Sequence, residues 1–173
     1  MMDNFDDVLP KLVKIQLFED FDLSREEDVK SLRNVYEGMS VKNYRKGEII
    51  INEGEVGDEF YILNEGSVHI SRKTPAGDVI ALADLDASMN IFFGETALIS
   101  DDTRSATVSA LTDCKVIVLS SKKFHELCNK DPVVGYRVLT VLARRMAKTI
   151  RDTNKDKATL YAALFNEIAG DHY

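Results

Sequence analysis

The spacing of hydrophobic and polar positions changes twice along the chain. Before Ser40 the apolar residues are helix-spaced. Leu12, Val13, Ile15, Leu17 and Phe18 form one cluster, Phe21 and Leu23 follow, and Val29, Leu32 and Val35 recur at helical intervals. Ser24, with Glu27 three positions on, has the spacing of a capping box for that last helix. From Ser40 to about Ser120 the apolar residues gather into short β-rich runs at Glu48–Asn52, Phe60–Asn64, Val68–Arg72, Val79–Leu85, Ala106–Ala110 and Lys115–Leu119. Asn64-Glu65-Gly66 and Pro75-Ala76-Gly77-Asp78 read as hairpin connections. Short strands punctuated this way predict a barrel or a sandwich. After Leu119 the spacing is helical again. Ser121 is placed to cap the segment that follows it, and Asp131-Pro132 has the chemistry of an N-cap and a first helical position. Further on, Leu139, Leu142, Met146, Thr149, Thr153, Asp156 and Leu160 fall at alternating three- and four-residue steps. A helix packed on its own domain and a dimer seam both fit that stripe.

With 173 residues the chain is long enough for one domain and an appendage. Its 45% hydrophobic and 29% charged residues predict a soluble globular protein. No apolar run is long enough for a membrane span, and the acidic start lacks the features of a signal peptide, so a cytoplasmic location is expected. The net charge of −7 argues against nucleic-acid binding, which needs a basic face, but not against a small anion held by local positive groups. Cys114 and Cys128 are far apart, and His69, His125 and His172 show no ligand spacing. Neither a metal site nor a cofactor is expected. No nucleophile–base pair or paired acid/base carboxylates stand out. Asp101-Asp102 reads as a solvated turn, so catalysis is not expected.

The segment Phe93 to Val108 carries the chemistry. Gly94 opens a short apolar run, a polar loop follows, and Arg104 with Ser105 precedes a strand. If Gly94–Ile99 makes a helical turn, its first N–H groups are open to an anion. Arg104 offers a planar donor fork suited to phosphate oxygens, and Ser105 a neutral donor. Ionised Glu95 is acceptor-only and suits a sugar hydroxyl. These residue types together fit a phosphorylated sugar; an ordinary Glu95–Arg104 ion pair on a turn fits the spacing as well.

Phe93, Gly94, Glu95, Ala97, Leu98, Arg104, Ala106, Thr107 and Val108 resemble the phosphate-binding cassette of the cyclic-nucleotide-binding domain family. Upstream, Gly47-Glu48-Ile49-Ile50, Glu53-Gly54, Gly57-Asp58, Phe60-Tyr61-Ile62-Leu63 and Gly66-Ser67-Val68 resemble the first half of that family's domain. The resemblance implies a mainly β fold with flanking helices. This would be a jelly-roll-like β-roll (a double-stranded β-helix) over 40–120, with N-terminal helices over 1–39 and C-terminal helices, one of them long, over 121–173. It implies a ligand, cAMP or cGMP. Arg104 would pair with the cyclic phosphate and Glu95 with the ribose 2′-hydroxyl. The amides of Ala97 and Ser105 and the Ser105 hydroxyl would complete the cradle, within a binding segment that also takes in Phe93, Gly94, Thr96 and Ala106. Leu63, Gly66, Val68 and Leu85 would line the base and ribose pocket, or simply fill the roll.

One departure from the family pattern is the lead-in Asp86–Ile91, which has no glycine; Asn90 is the residue best suited to supply a left-handed turn there. Ser105 does not separate the two nucleotides. The segment Ala143–Thr149 is similar to the helix whose threonine reaches adenine in cAMP-binding bacterial regulators, which puts Thr149 in that place and favours cAMP; a residue with no ligand role fits Thr149 as well. Arg144, Arg145, Lys148 and Arg151 read as a solvated face or a docking surface for an acidic partner. DNA-binding relatives have a helix-turn-helix next, and Ala158–Tyr173 is too short for one. The expected output is therefore a conformational change passed to another chain, with a homodimer through the C-terminal helix as one form, or to the rest of a longer protein. A scaffold of the same fold that has lost its nucleotide is the alternative.

Overall fold

The computed structural model describes residues 4–100 and 102–170. Eight strands form two antiparallel four-stranded sheets: β1 (Ser40–Tyr44), β2 (Ile49–Ile51), β3 (Glu59–Glu65), β4 (Ser67–Lys73), β5 (Val79–Asp86), β6 (Phe92–Phe93), β7 (Thr107–Ala110) and β8 (Cys114–Ser120). Their order is β1-β8-β3-β6 in one sheet and β2-β7-β4-β5 in the other. The pairings β1·β8, β2·β7, β3·β6 and β4·β5 are nested, as in one long hairpin rolled over on itself. This is the jelly-roll plan implied by the resemblance. The tip of the hairpin is the Pro75–Asp78 turn, where the Gly77 N–H donates to the Thr74 carbonyl at 2.9 Å.

The apolar runs in β3 and β8 do not alternate because both strands are central and covered on two faces. One face, with Tyr61, Leu63, Cys114, Val116 and Val118, meets Ile51, Val68, Val108 and Ala110 of the other sheet. The Tyr61 and Phe93 rings stack in this core at 5.4 Å and 12°. The opposite face carries Phe60, Ile62, Ile117 and Leu119 and is covered by helices. Val8 and Leu12 of α1 (Phe5–Leu12) lie over Ile62 and Ile117. Val35 of α2 (Glu26–Glu37), Phe124 and Leu127 of α3 (Ser121–Lys130), and Val134 and Val138 at the start of α4 (Pro132–Gly170) gather with Leu119. Fully burying such a side chain stabilises by about 1.5–3 kcal/mol.

Asp28 is buried among these helices and pairs with Arg137 at 2.9 Å, while also accepting the Asp22 N–H. Burial would raise its pKa, but these two partners outweigh that and hold the carboxyl below its ordinary range.

The caps differ by one or two residues from the sequence reading. The Ser24 hydroxyl donates to Asp22 instead of capping α2, which starts after Arg25 without a side-chain cap. Ser120, not Ser121, caps α3 by accepting the Lys123 N–H. At α4, Asp131 does accept the Val134 N–H, at 3.3 Å. Strands β1 and β6 were not legible in the sequence: β1 has little apolar character and β6 is two residues long.

The chain divides into two compact units between Val138 and Leu139. The second consists of the remainder of α4. Leu139, Met146, Ile150, Leu160, Leu164, Phe165 and Ile168 are exposed along it. Among the described residues no helix is long and apolar enough to cross a membrane.

Candidate functional site

The site is built on the connection from β6 to β7. Its lead-in is a single 3₁₀ turn, Ala87–Met89, capped by the Asp86 carboxylate accepting the Ser88 N–H. Asn90 ends that turn at φ 52° and ψ 45°, the only positive φ outside glycine among the described residues. It supplies the left-handed step for which the sequence has no glycine. Phe92 and Phe93 then pair with Ile62 and Tyr61 of β3, which brings the next residue, Gly94, to the end of the roll. Gly94 takes φ 73° and ψ 18° and starts a 3₁₀ turn, Glu95–Leu98. Leu98 is wholly buried with Leu17, Phe18, Val35, Leu119 and Phe124, so the turn is pinned to the helical layer.

Arg104 returns the chain to the roll. Its N–H donates to the Glu55 carbonyl and its own carbonyl accepts the Gly54 N–H, both at 2.9 Å. The side chain is only 8% exposed. Nη2 donates to the Glu59 carbonyl at 2.6 Å and Nη1 to the Gly94 carbonyl at 3.2 Å. The guanidinium carbon stands 6.0 Å from the Tyr61 ring centroid. Both side-chain hydrogen bonds go to neutral carbonyls, and the Glu59 carboxylate is near enough to interact with the charge without being hydrogen-bonded to it in either of them. Gly57 lies against it: a Cβ there would fall 2.6 Å from Nε and 2.7 Å from Nη2.

The Glu59 carboxylate, whose own peptide holds Arg104, accepts from Lys42 Nζ at 2.6 Å and from the Tyr61 hydroxyl at 2.7 Å. Burial would raise its pKa, but these bonds lower it on balance. Burial, followed by the bond to Glu59, pushes the Tyr61 phenol well above its ordinary value. A cleft of about 250 Å³ on this side of Arg104 is lined by Glu55, Asp58 and Glu59. Those carboxylates repel a phosphate on this side of the guanidinium.

The structure brings Arg104 against the Gly94 peptide, next to Glu95, which is half-buried at the start of its turn. Ser105 and Thr96 are exposed and Ala106 is half-buried. The Ala97 N–H, expected to face a phosphate, donates to the Gly94 carbonyl at 3.2 Å because the turn is 3₁₀ and closes one residue earlier than an α-turn. Leu63, Val68 and Phe93 are 3%, 0% and 5% exposed and pack in the inter-sheet core; Leu85 is half-buried against that core. At Gly66 the space for a side chain is already filled by Thr112, Asp113 and Cys114. Thr149 is exposed on α4, in the second unit. Asp101 and His172 lie outside the described residues. Among the described residues no group of three or more His, Cys, Asp and Glu could hold a metal ion.

Glu59 and Lys42 were missed in the sequence. The available signal was Glu59-x-Tyr61, two polar tips on one face of a strand.

The chain matches the family model described as the cyclic nucleotide-binding domain over residues 41–131. It is 35% identical over 126 residues to the cAMP-dependent protein kinase regulatory subunit of Dictyostelium discoideum, a match covering 66% of this chain and 37% of the relative. It is 36% identical over 96 residues to human cGMP-dependent protein kinase 2, covering 55% of this chain and 12% of the relative. The chain thus spans well under half the length of either. Among solved structures, the regulatory domain of Toxoplasma gondii PKA, crystallised with cAMP, superposes with a TM-score of 0.67 at 26% identity, covering 83% of this chain and 49% of that one.

Proposed function

This chain belongs to the cyclic nucleotide-binding domain family, and we propose that it binds a cyclic mononucleotide, cAMP ahead of cGMP, and reports occupancy to a partner chain. The observation that carries the proposal is the Arg104 guanidinium, buried at the Gly94 turn and held by two carbonyls. A cyclic phosphate supplies the negative charge that those carbonyls lack. Glu95 takes the ribose 2′-hydroxyl and Ser105 adds a neutral donor to the phosphate. The names of the two relatives support both nucleotides; the similarity of the sequence Ala143–Thr149 to the helix of cAMP-binding regulators favours adenine. The domain acts as a regulator and carries no chemistry of its own. Its signal leaves through Leu98, which ties the nucleotide turn to α2, α3 and the first turn of α4. The exposed apolar residues of α4 are the surface for a second chain, a homodimer partner being the first choice.

Calorimetric titration with cAMP, cGMP and 5′-AMP, with light scattering in parallel, tests this reading. One cyclic nucleotide per chain is expected to bind and the acyclic monophosphate to bind far more weakly. At about a hundredfold excess over Kd the ligand adds about 2.7 kcal/mol of stability, a rise of about 5–10 °C in Tm for a chain of this size. No heat and no thermal shift with either cyclic nucleotide would instead leave a scaffold of this fold.

Gly57→Ala provides a local check. The added methyl displaces the far end of a flexible side chain, not backbone, so the fold is expected to survive with Tm changed by a few degrees at most. The guanidinium is pushed off its carbonyls, and cyclic-nucleotide affinity falls by about tenfold, roughly the 1.4 kcal/mol of one well-placed charged hydrogen bond. Unchanged affinity in a folded variant would separate the Arg104 seat from binding.

A further inference from the structure

The seat of Arg104 is closed by a ring of contacts, and three members of that ring, Lys42, Glu59 and Tyr61, lie outside the nucleotide segment altogether. Starting from the guanidinium, Nη2 rests on the Glu59 carbonyl. The Glu59 side chain is held by Lys42 of β1 and by the Tyr61 hydroxyl. The Tyr61 ring stacks on Phe93, and the carbonyl of Gly94, the next residue, accepts Nη1. The circuit joins β1, β3, β6 and the nucleotide turn. Within it, Glu59 is the first residue of β3, paired with Ser120 of β8, and the Asp58 carbonyl before it accepts the Ser121 N–H at 2.7 Å, so the side-chain anchor adjusts the position of the Glu59 carbonyl at the end of a held strand.

We propose that Lys42 and Glu59 are positioning residues for Arg104: their ion pair, with the Tyr61 hydroxyl, fixes the Glu59 carbonyl and thereby aims the guanidinium at the nucleotide phosphate. A group that must meet its ligand within a fraction of an ångström depends on the residues that lock its support. The Lys42 side chain is 42% exposed, so its worth as an ion pair in stability alone is small. Its effect comes through geometry. This inference rests on Arg104 being the phosphate ligand, but its first readout needs no nucleotide.

The test compares Lys42→Met and Lys42→Arg in the full chain. The ¹⁵Nε–¹Hε resonance of Arg104 is followed without ligand, and cAMP affinity is then measured by calorimetry. Lys42→Met is expected to move or broaden the Arg104 resonance and to weaken cAMP binding about three- to fivefold, the upper range for an exposed pair, with Tm almost unchanged. Lys42→Arg, which keeps the charge on Glu59, is expected to restore both. An Arg104 resonance indifferent to Lys42→Met overturns the proposal whether or not the protein binds cAMP, as does failure of Lys42→Arg to rescue. A wild-type protein that binds no cyclic nucleotide, yet whose Arg104 resonance follows Lys42, overturns the functional reading and leaves the support intact.

Discussion

Replacing Arg104 by alanine is expected to weaken cyclic-nucleotide binding by about 2–5 kcal/mol, roughly thirtyfold to several thousandfold in Kd, the cost of removing one partner from a buried charge pair. The size follows from the environment. Arg104 is 8% exposed and its guanidinium touches carbonyls, so a phosphate that meets it loses little to solvent screening. With alanine, a phosphate in the same place would face the Gly94 and Glu59 carbonyl oxygens without a cation between. The same change leaves those two carbonyls without their donor, a stability loss of about 1–3 kcal/mol, so circular dichroism must accompany calorimetry. Arg104→Lys keeps the charge but not the fork, and is expected to fall between wild type and alanine. Undiminished affinity for both cAMP and cGMP in a folded Arg104→Ala protein would remove the site assignment.

Gly66→Ala is expected to destabilise the fold by about 3–4 kcal/mol, lowering Tm by about 10 °C. Gly66 sits between β3 and β4 at φ 90°, where an L side chain is strained by about 1–3 kcal/mol. The space its Cβ would need is also taken, by the Asp113 carbonyl oxygen and, at 2.9 Å each, by Cys114 Sγ and Thr112 Oγ1. The carbonyl belongs to backbone, so the β3–β4 turn or the turn that leads into β8 must move. Gly77 isolates the two effects. Its φ is 94° but nothing lies within 4 Å of a Cβ there, so Gly77→Ala is expected to show the strain alone. Thermal unfolding of the two variants side by side checks the account: equal losses would mean that the filled space at Gly66 has no energetic weight.

How much of this was legible in the sequence depends on how local each feature is. Gly77 and Asn90 read correctly because left-handed backbone has a short menu of residues, and both take positive φ; Gly66 also takes positive φ, but Asn64–Gly66 carries the chain from one sheet to the other and does not close a hairpin, because β3 and β4 do not pair. The segment around Gly94 and Arg104 was legible as an ordered pattern of residue types, and the jelly-roll followed from its resemblance to a family. The cap of α3 was misplaced by one residue because adjacent serines, Ser120 and Ser121, offer the same chemistry and only φ/ψ decides between them. The two-residue β6 has no periodicity to find. Leu63 and Val68 could not be assigned from the sequence because an apolar side chain on a strand looks the same whether it lines a pocket or fills a core. The seat of Arg104 was invisible for another reason. Its partners are backbone carbonyls of Glu59 and Gly94, and a carbonyl has no sequence signature; only the pairing of β3 with β6 brings the two together.

The central claim is that Arg104 meets the cyclic phosphate while Glu95 meets the ribose. A crystal structure of this chain grown with cAMP addresses it directly. Phosphate oxygens are expected within hydrogen-bond reach of the Arg104 guanidinium, with the 2′-hydroxyl on the Glu95 carboxylate. Nucleotide seated elsewhere on the roll, with Arg104 still held only by the Gly94 and Glu59 carbonyls, would contradict the account.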